Sequence, residues 1–393
     1  MQSVNSIKKE IIVRYLASVL AVNLCAAAVT GCSLSAGGSG GVPEVITSVS
    51  SVRGGVLEAE TMFSSRDLIQ SVSAGKAIAY TVKDGQTISI TREGVYLLRG
   101  EAAGVTVTVD AGSKDKVQLV LDGVRITNTG APCVYVRKAA KTYVTLLGDN
   151  ELSATGAFAF PEDSKADGVI FSREPLVLNG TGSLTLSSSR NGIVGRDSVK
   201  MTGGIYRIQA GSKAIAAHDA VCIAAGQYEL RAGTDGIHAE HPDDSRLGYV
   251  LICGGEFDIR AEDDGIHAGS VLQIDNGTFS VAAWECLEGT YVQINNGTLS
   301  LESKDDGINA ARKSDVYTPT VDIAGGSLSI RTESGEADAV DSNGDIRIRG
   351  GRVDITAHSP FDYDGNAAIS GGEVTVNGRP FEAFPLPEEA ASS

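Results

Sequence analysis

Basic residues are the scarcer charge in this chain: 33 Lys and Arg stand against 49 Asp and Glu, a net charge of −16 at neutral pH. A surface of that sign excludes nucleic acid as a partner, and it admits an acidic polymer only where a divalent cation sits between the two. Cysteine is also sparse. Cys25 and Cys32 belong to the N-terminal segment, and Cys133, Cys222, Cys253 and Cys286 lie in strand-like runs without C-x-x-C spacing. Zinc-finger and dithiol chemistry are therefore excluded, and these thiols read as small buried hydrophobes. Aromatics make up 5% of the residues, which suits a narrow interior filled by Ile, Val, Leu and Ala. No amphipathic helical period is present. The apolar run 16–29 is too short for a permanent membrane span.

That run follows Lys8, Lys9 and Arg14 and ends in Val29-Thr30-Gly31-Cys32, which resembles a bacterial lipobox. It implies a signal peptide over 1–31, removed to leave Cys32 as an acylated N-terminus. An ordinary signal peptide is the alternative. Loss of Lys8, Lys9, Arg14 and Glu10 takes the net charge from −16 to −18. Residues 32–43 are Gly/Ser-rich, a flexible spacer. The expected location is the cell envelope, at the outer membrane or cell surface.

What the chain has in abundance is repetition. Asp-Gly-Ile triplets, or close variants, begin at Asp167, Asn191, Lys213, Asp235, Asp264, Glu285, Asp306 and Asp338. Successive triplets are mostly 21–29 residues apart, the length of one solenoid coil. The gap of 29 residues from Asp235 to Asp264 contains the polar insertion 240–246. Between triplets come alternating strands such as Leu272-Gln273-Ile274 and Thr278-Phe279-Ser280-Val281, joined by Gly-containing turns such as Asn276-Gly277. The fold expected is all-β, a right-handed single-stranded parallel β-helix over 44–380 with its first, less regular coils in 44–166, and a polar tail over 381–393. A β-sandwich does not predict one triplet at a coil-like interval.

Coil stacking turns that period into a row of side chains about 4.8 Å apart. Over 264–341 the row is acidic: Asp263, Asp264, Glu285, Glu288, Asp305, Asp306, Asp338 and Asp341. Stacked carboxylates repel, and calcium is the natural counter-ion, taking oxygen donors in irregular geometry. Asp-Gly as a plain turn dipeptide is the alternative for any one pair. His238 and His267 occupy equivalent places in neighbouring motifs, but two histidines alone are weak evidence for zinc. Trp284 and Tyr291 beside the row are candidate sugar platforms, with local packing as the alternative. Lys304 and Arg312 are the candidate cationic contacts, while Lys313 and Arg331 read as solvated.

The strings Asp264-Gly265-Ile266-His267-Ala268, Glu285-Cys286-Leu287-Glu288-Gly289, Asp306-Gly307-Ile308-Asn309-Ala310 and Asp338-Ala339-Val340-Asp341 resemble the calcium-binding β-helix carbohydrate-binding domain of bacterial surface proteins, as do Thr91 to Tyr96 and Val117 to Gly123. The resemblance spans about 63–377. It implies a fold similar to pectate lyases, bound calcium, and affinity for polymers such as polygalacturonate or cellulose, without established catalysis. Cys286 and Ala339 depart from it by standing where Gly is usual. The function expected is polysaccharide binding. A calcium-dependent polysaccharide lyase and a calcium-stiffened adhesin or scaffold are the alternatives.

Overall fold

The computed structural model describes residues 46–73, 77–333, 335 and 337–384. The chain divides into a unit over Met1–Gly41 and a unit over Val42–Ser393. The signal peptide, Cys32 and the linker expected over 1–43 lie outside the described residues.

Thirty-four strands, and a single helical turn at Ala59–Met62, are found among the described residues. All the strand pairings are parallel except the last, a short hairpin of Glu373–Val376 with Arg379–Pro380. Each regular coil makes three strands, not two, because the triplet is itself a strand. In one coil Leu176–Gly180 lies on face A, Ser183–Ser188 on face B and Asn191–Gly195 on face C, after which Ser198–Met201 begins the next coil beside Leu176–Gly180. Parallel stacking in constant register repeats this along the chain, so every coil presents its triplet on face C. The expected all-β parallel solenoid is therefore the fold observed.

The interior is a set of side-chain ladders. Ile193, Ile215, Ile237, Ile266, Leu287, Ile308 and Val340 stack in register under face C. Under face B, where small aliphatics were expected, Tyr206, Tyr228, Phe257 and Phe279 form a ring stack with centroids 5.3, 4.7 and 4.6 Å apart. Offset stacking adds about 0.5–1.5 kcal/mol per pair to the burial of each ring. The two phenols stay satisfied inside this apolar stack because they donate to Gly203 O and Ala225 O at the adjoining turn. The triplet glycine answers to close approach. A Cβ on Gly265 would stand 2.6 Å from Cys286 O, and one on Gly307 2.5 Å from Ala339 O. Cys286 and Ala339 nevertheless place their side chains wholly inside, with the Cys286 thiol directed to Val281 O.

Residues 46–73 depart from the expected first coils. They form a strap along the outside of face A, held by polar residues projecting from successive coils. Gln293 and Gln273 accept from the amides of Val56 and Leu57, Lys200 donates to Met62 O, and Gln118 accepts from the Ser73 amide. Asp67, fully buried, is bound by Lys141 at 3.0 Å. Burial works against its ionisation, yet the Lys141 bond holds its carboxyl below the usual range. The strap's Leu57, Phe63 and Leu68 pack on Cys222, Leu251 and Val271. Face A is thus covered on both sides, which buries Cys222 as anticipated.

The far end also differs from the expected polar tail. Phe381 and Phe384 pack on Phe361 with centroids 5.1 and 4.9 Å away, covering the last coil as a solenoid terminus requires.

Candidate functional site

Face C gathers the chemistry because two residues of each triplet strand point outward in register. One row runs Asp264, Glu285, with Asp306 and Asp338 continuing it through Asp306 O to the Cys286 amide and Asp338 O to the Gly307 amide. The second row, two residues beyond the glycine, runs His238, His267, Glu288, Asn309, Asp341. Stacking of carboxylates from successive motifs is therefore present. Asp263 and Asp305 fall outside both rows, at the corner from face B, with Trp284 between them: the Trp284 amide donates to Asp263 O and the Asp305 amide to Trp284 O.

The upper part of the site is compensated by cations. His267 Nδ1 lies 2.8 Å from Asp264 Oδ2 and 2.5 Å from Glu288 Oε2. Glu288 Oε1 receives Lys313 Nζ at 2.7 Å. Burial alone would push the Glu288 carboxyl up, but the His267 and Lys313 bonds hold it well below the usual range. Burial would by itself lower His267, yet its bonds to Asp264 and Glu288 raise it to about 9. One coil earlier the geometry recurs, with Asp235 Oδ2 2.7 Å from His238 Nδ1 and bonded by Lys213, but there burial outweighs the Asp235 bond and lowers the His238 pKa. The His238 and His267 rings stack 4.5 Å apart, 17° from parallel.

The lower part lacks such partners: among the described residues Glu285, Asp306 and Asp341 enter no ion pair. Burial, then the charges of Glu288 and Asp264, push Glu285 up to about 8. Burial and the neighbouring Asp306, Asp362 and Asp338 push Asp341 up to about 7. Asp306 rises to about 6, again through burial first, with Asp305 and Asp338 adding to it against a bond from the Asp338 amide. Asp338 is raised too by burial, although Ser359 donates to it. Asn309 donates to Glu285 Oε2 at 3.0 Å, while its own Oδ1 is buried without a donor among the described residues. Oxygen donors of this kind suit a hard cation, but among the described residues the carboxylates whose donor atoms lie within 4.8 Å of one another in a group of three are those of Asp264 and Glu288, with His267.

Two inserted loops flank the site where face C turns into face A. Loop 240–248 and loop 311–319 meet across the two uninterrupted coils between them, with Ser314 Oγ donating to Ser245 O at 2.5 Å. Thr290 anchors the second loop by accepting from the amides of Lys313 and Ser314, which delivers Lys313 to Glu288. Arg312 is exposed on that loop.

The other expected contacts are scattered. Trp284 is 47% exposed, and its Nε1 donates to Asp305 at 3.0 Å, so its ring lies beside the carboxylate rows. Tyr291 belongs to face A, packs towards the strap cluster and donates to Asp322 at 3.0 Å, away from those rows. Lys304 stands 3.6 Å from Glu262 at the corner from face B. Lys213, Asp235, Glu240, Asn309 and Lys313 complete the site without having been anticipated in it. Aligning the triplets gives Lys213, Asp235 and Asn309 directly; no period reveals Lys313, which an inserted loop folds back.

Known proteins share sequence with this chain over most of the described residues. The family profile described as carbohydrate-binding domain-containing protein matches residues 84–289 and 285–380. A relative of the same description from Acetivibrio thermocellus is 32% identical over 210 residues, covering 52% of this chain and 66% of the relative, so the matched region spans just under two thirds of that protein. Among solved structures, the gadolinium derivative of a polysaccharide lyase-like protein from C. thermocellum is 22% identical, with a TM-score of 0.34 over 75% of this chain and 98% of that one.

Proposed function

The chain belongs to the carbohydrate-binding domain family, and on that premise we propose that it is a non-catalytic, calcium-dependent binder of acidic or cellulosic polysaccharide, carried on the cell envelope by an N-terminal lipid anchor. The observation behind the calcium is the lower part of face C. The coil register brings Glu285, Asp306 and Asp341 near other carboxylates, and among the described residues they have no basic partner and the Asn309 carbonyl oxygen has no donor. A divalent ion relieves both costs at once, since calcium takes 6–8 oxygens at about 2.3–2.6 Å from carboxylates, amide carbonyls and water. Its remaining positions face solvent, where a uronate carboxylate replaces water and turns an otherwise repulsive acidic surface into an adhesive one. Trp284, exposed beside the same rows, offers the apolar face a sugar ring stacks on.

A lyase would need a base for the sugar C5 proton. Lys313 is the amine nearest the carboxylates, but its bond to Glu288 raises its pKa despite burial, the opposite of what a base requires.

The test is retention of the chain on immobilised polygalacturonate and cellulose with calcium or with chelator, while absorbance reports unsaturated products. Retention that chelator reverses, that Asp306→Asn and Asp341→Asn weaken by about tenfold or more, and that yields no product is the expected result. Product formation would make the protein a lyase. Calcium uptake without any glycan retention would leave a stiffened scaffold.

A further inference from the structure

Four of the five histidines in the sequence lie at or beside the upper part of face C. One pair among them carries a feature that the carboxylate rows do not explain. His238 and His267 each have their Nδ1 turned to the aspartate three residues earlier, at 2.7 and 2.8 Å. A carboxylate on one ring nitrogen fixes the orientation of an imidazole and leaves the other nitrogen as its donor atom, the arrangement common behind histidine ligands to zinc. On His267 that other nitrogen, Nε2, is buried and has no partner among the described residues, in a side chain only 8% exposed. A buried ring nitrogen left unbonded has lost its water without a replacement partner, a cost that a metal ion there would remove. On His238, Nε2 stands 3.7 Å from Glu240 Oε2. One donor atom from each of His238, Glu240 and His267 lies within 4.8 Å of the other two.

We propose that His238, Glu240 and His267 form a binding site for a late first-row transition-metal ion of the zinc, cobalt or nickel class, distinct from the carboxylate row expected to take calcium. Donor chemistry separates the two. Imidazole nitrogens select zinc, nickel and copper over calcium, whereas all-oxygen sets favour calcium. Two histidines and a glutamate make a three-ligand set that leaves a fourth position open. Tetrahedral bonds of about 2.0–2.1 Å put the donors about 3.3 Å apart, so the three need only draw together by about an ångström or so. The stacked rings already set the imidazoles side by side. Glu240, with a side chain 53% exposed at the start of loop 240–248, supplies the adjustable ligand and leaves the open position towards solvent. The sequence origin is plain: the repeat places Asp-Gly-Ile-His in two consecutive coils, and stacking superposes them.

The test uses the whole chain, stripped with chelator, saturated with calcium and titrated with cobalt(II), with visible absorption reporting the coordination and circular dichroism the fold. One equivalent of cobalt, displaced by zinc, is expected. His238→Ala abolishes that uptake, and Glu240→Gln, at an exposed position, weakens it by more than about tenfold. Asp235→Asn, which only loosens the His238 ring, weakens it by about 10–100-fold. No uptake by the folded chain, or uptake indifferent to both His238→Ala and Glu240→Gln, would overturn the site. Calcium is saturating throughout and its own uptake is titrated separately, so either metal can fail without removing the signal of the other.

Discussion

The upper and lower parts of face C are built from the same triplet in the same register, yet they solve the problem of buried charge differently. Above, Asp235, Asp264 and Glu288 are matched by His238, His267, Lys213 and Lys313 at hydrogen-bonding distance. Below, Glu285, Asp306 and Asp341 meet mainly other carboxylates, and the Asn309 amide donates to Glu285. The first arrangement balances its buried carboxylates with side chains of the polypeptide itself. The second is complete only with an added cation, or with protons in its place. A solenoid makes such contrasts easy to build, because replacing His267 by Glu288 or Asn309 in the next coils alters the site while leaving the backbone repeat intact.

The sharpest way to break the comparison is to remove one acid from each part. Glu288→Ala leaves His267 and Lys313 buried or half-buried without their shared partner, a change expected to destabilise the chain by about 3–5 kcal/mol, as broken buried ion pairs do. Glu285→Gln takes away a repelling charge, so in chelator it is expected to be neutral or stabilising by about 1 kcal/mol while weakening calcium uptake. Denaturant unfolding of both variants, with and without calcium, checks this; equal losses in the two parts would erase the distinction.

A smaller effect follows from pH. Glu285, Asp341 and Asp306 carry folded pKa values of about 8, 7 and 6, above the ordinary carboxylate range of about 4 in the unfolded chain. The folded state therefore holds more protons between about pH 4 and 8, and stability in chelator falls as pH rises through that window. After allowance for partial solvent screening, the fall is expected to be roughly 2–4 kcal/mol. Calcium should flatten the profile, and its affinity should rise from pH 6 to 8 as protons stop competing. Glu288 runs the other way. Its folded pKa is depressed, so its contribution is present above the unfolded value and disappears as pH falls through the folded one. A calcium-free stability that climbs between pH 5 and 8 would contradict the lower part as described.

Much of this was legible in the triplets. Their spacing gives the solenoid, and aligning them stacks Asp264 on Glu285 and His238 on His267, as the register does. Periodicity is read by translation along the axis, so whatever departs from the repeat is lost to it. The strap over 46–73 reads as irregular first coils because its contacts are to residues such as Gln273 and Gln293, more than two hundred positions away. Lys313 was hidden for the same reason, arriving from a loop inserted into one coil. Tyr291 was misplaced because the strand Glu285–Ile294 passes the corner from face C to face A without a break, with Gly289 inside the strand and not in a separate turn.

The smallest expected effect concerns the corner shared by both parts. Trp284 occupies the position that Asp263 and Asp305 hold in the flanking coils, so an apolar ring replaces a carboxylate at the midpoint of an acidic edge. Its Nε1 bond to Asp305 orients the ring without burying it. An exposed indole held this way contributes little to folding, and Trp284→Ala is expected to change stability by less than about 1 kcal/mol. If the ring is a sugar platform, the same substitution weakens retention on polysaccharide by several-fold, about 1 kcal/mol, while calcium uptake is unchanged. Trp284→Phe separates stacking from hydrogen bonding, since it keeps a π face and loses the Nε1 donor. Retention restored by Phe assigns the effect to the ring; retention lost equally in both variants assigns it to the placement of Asp305 at the corner beside the rows.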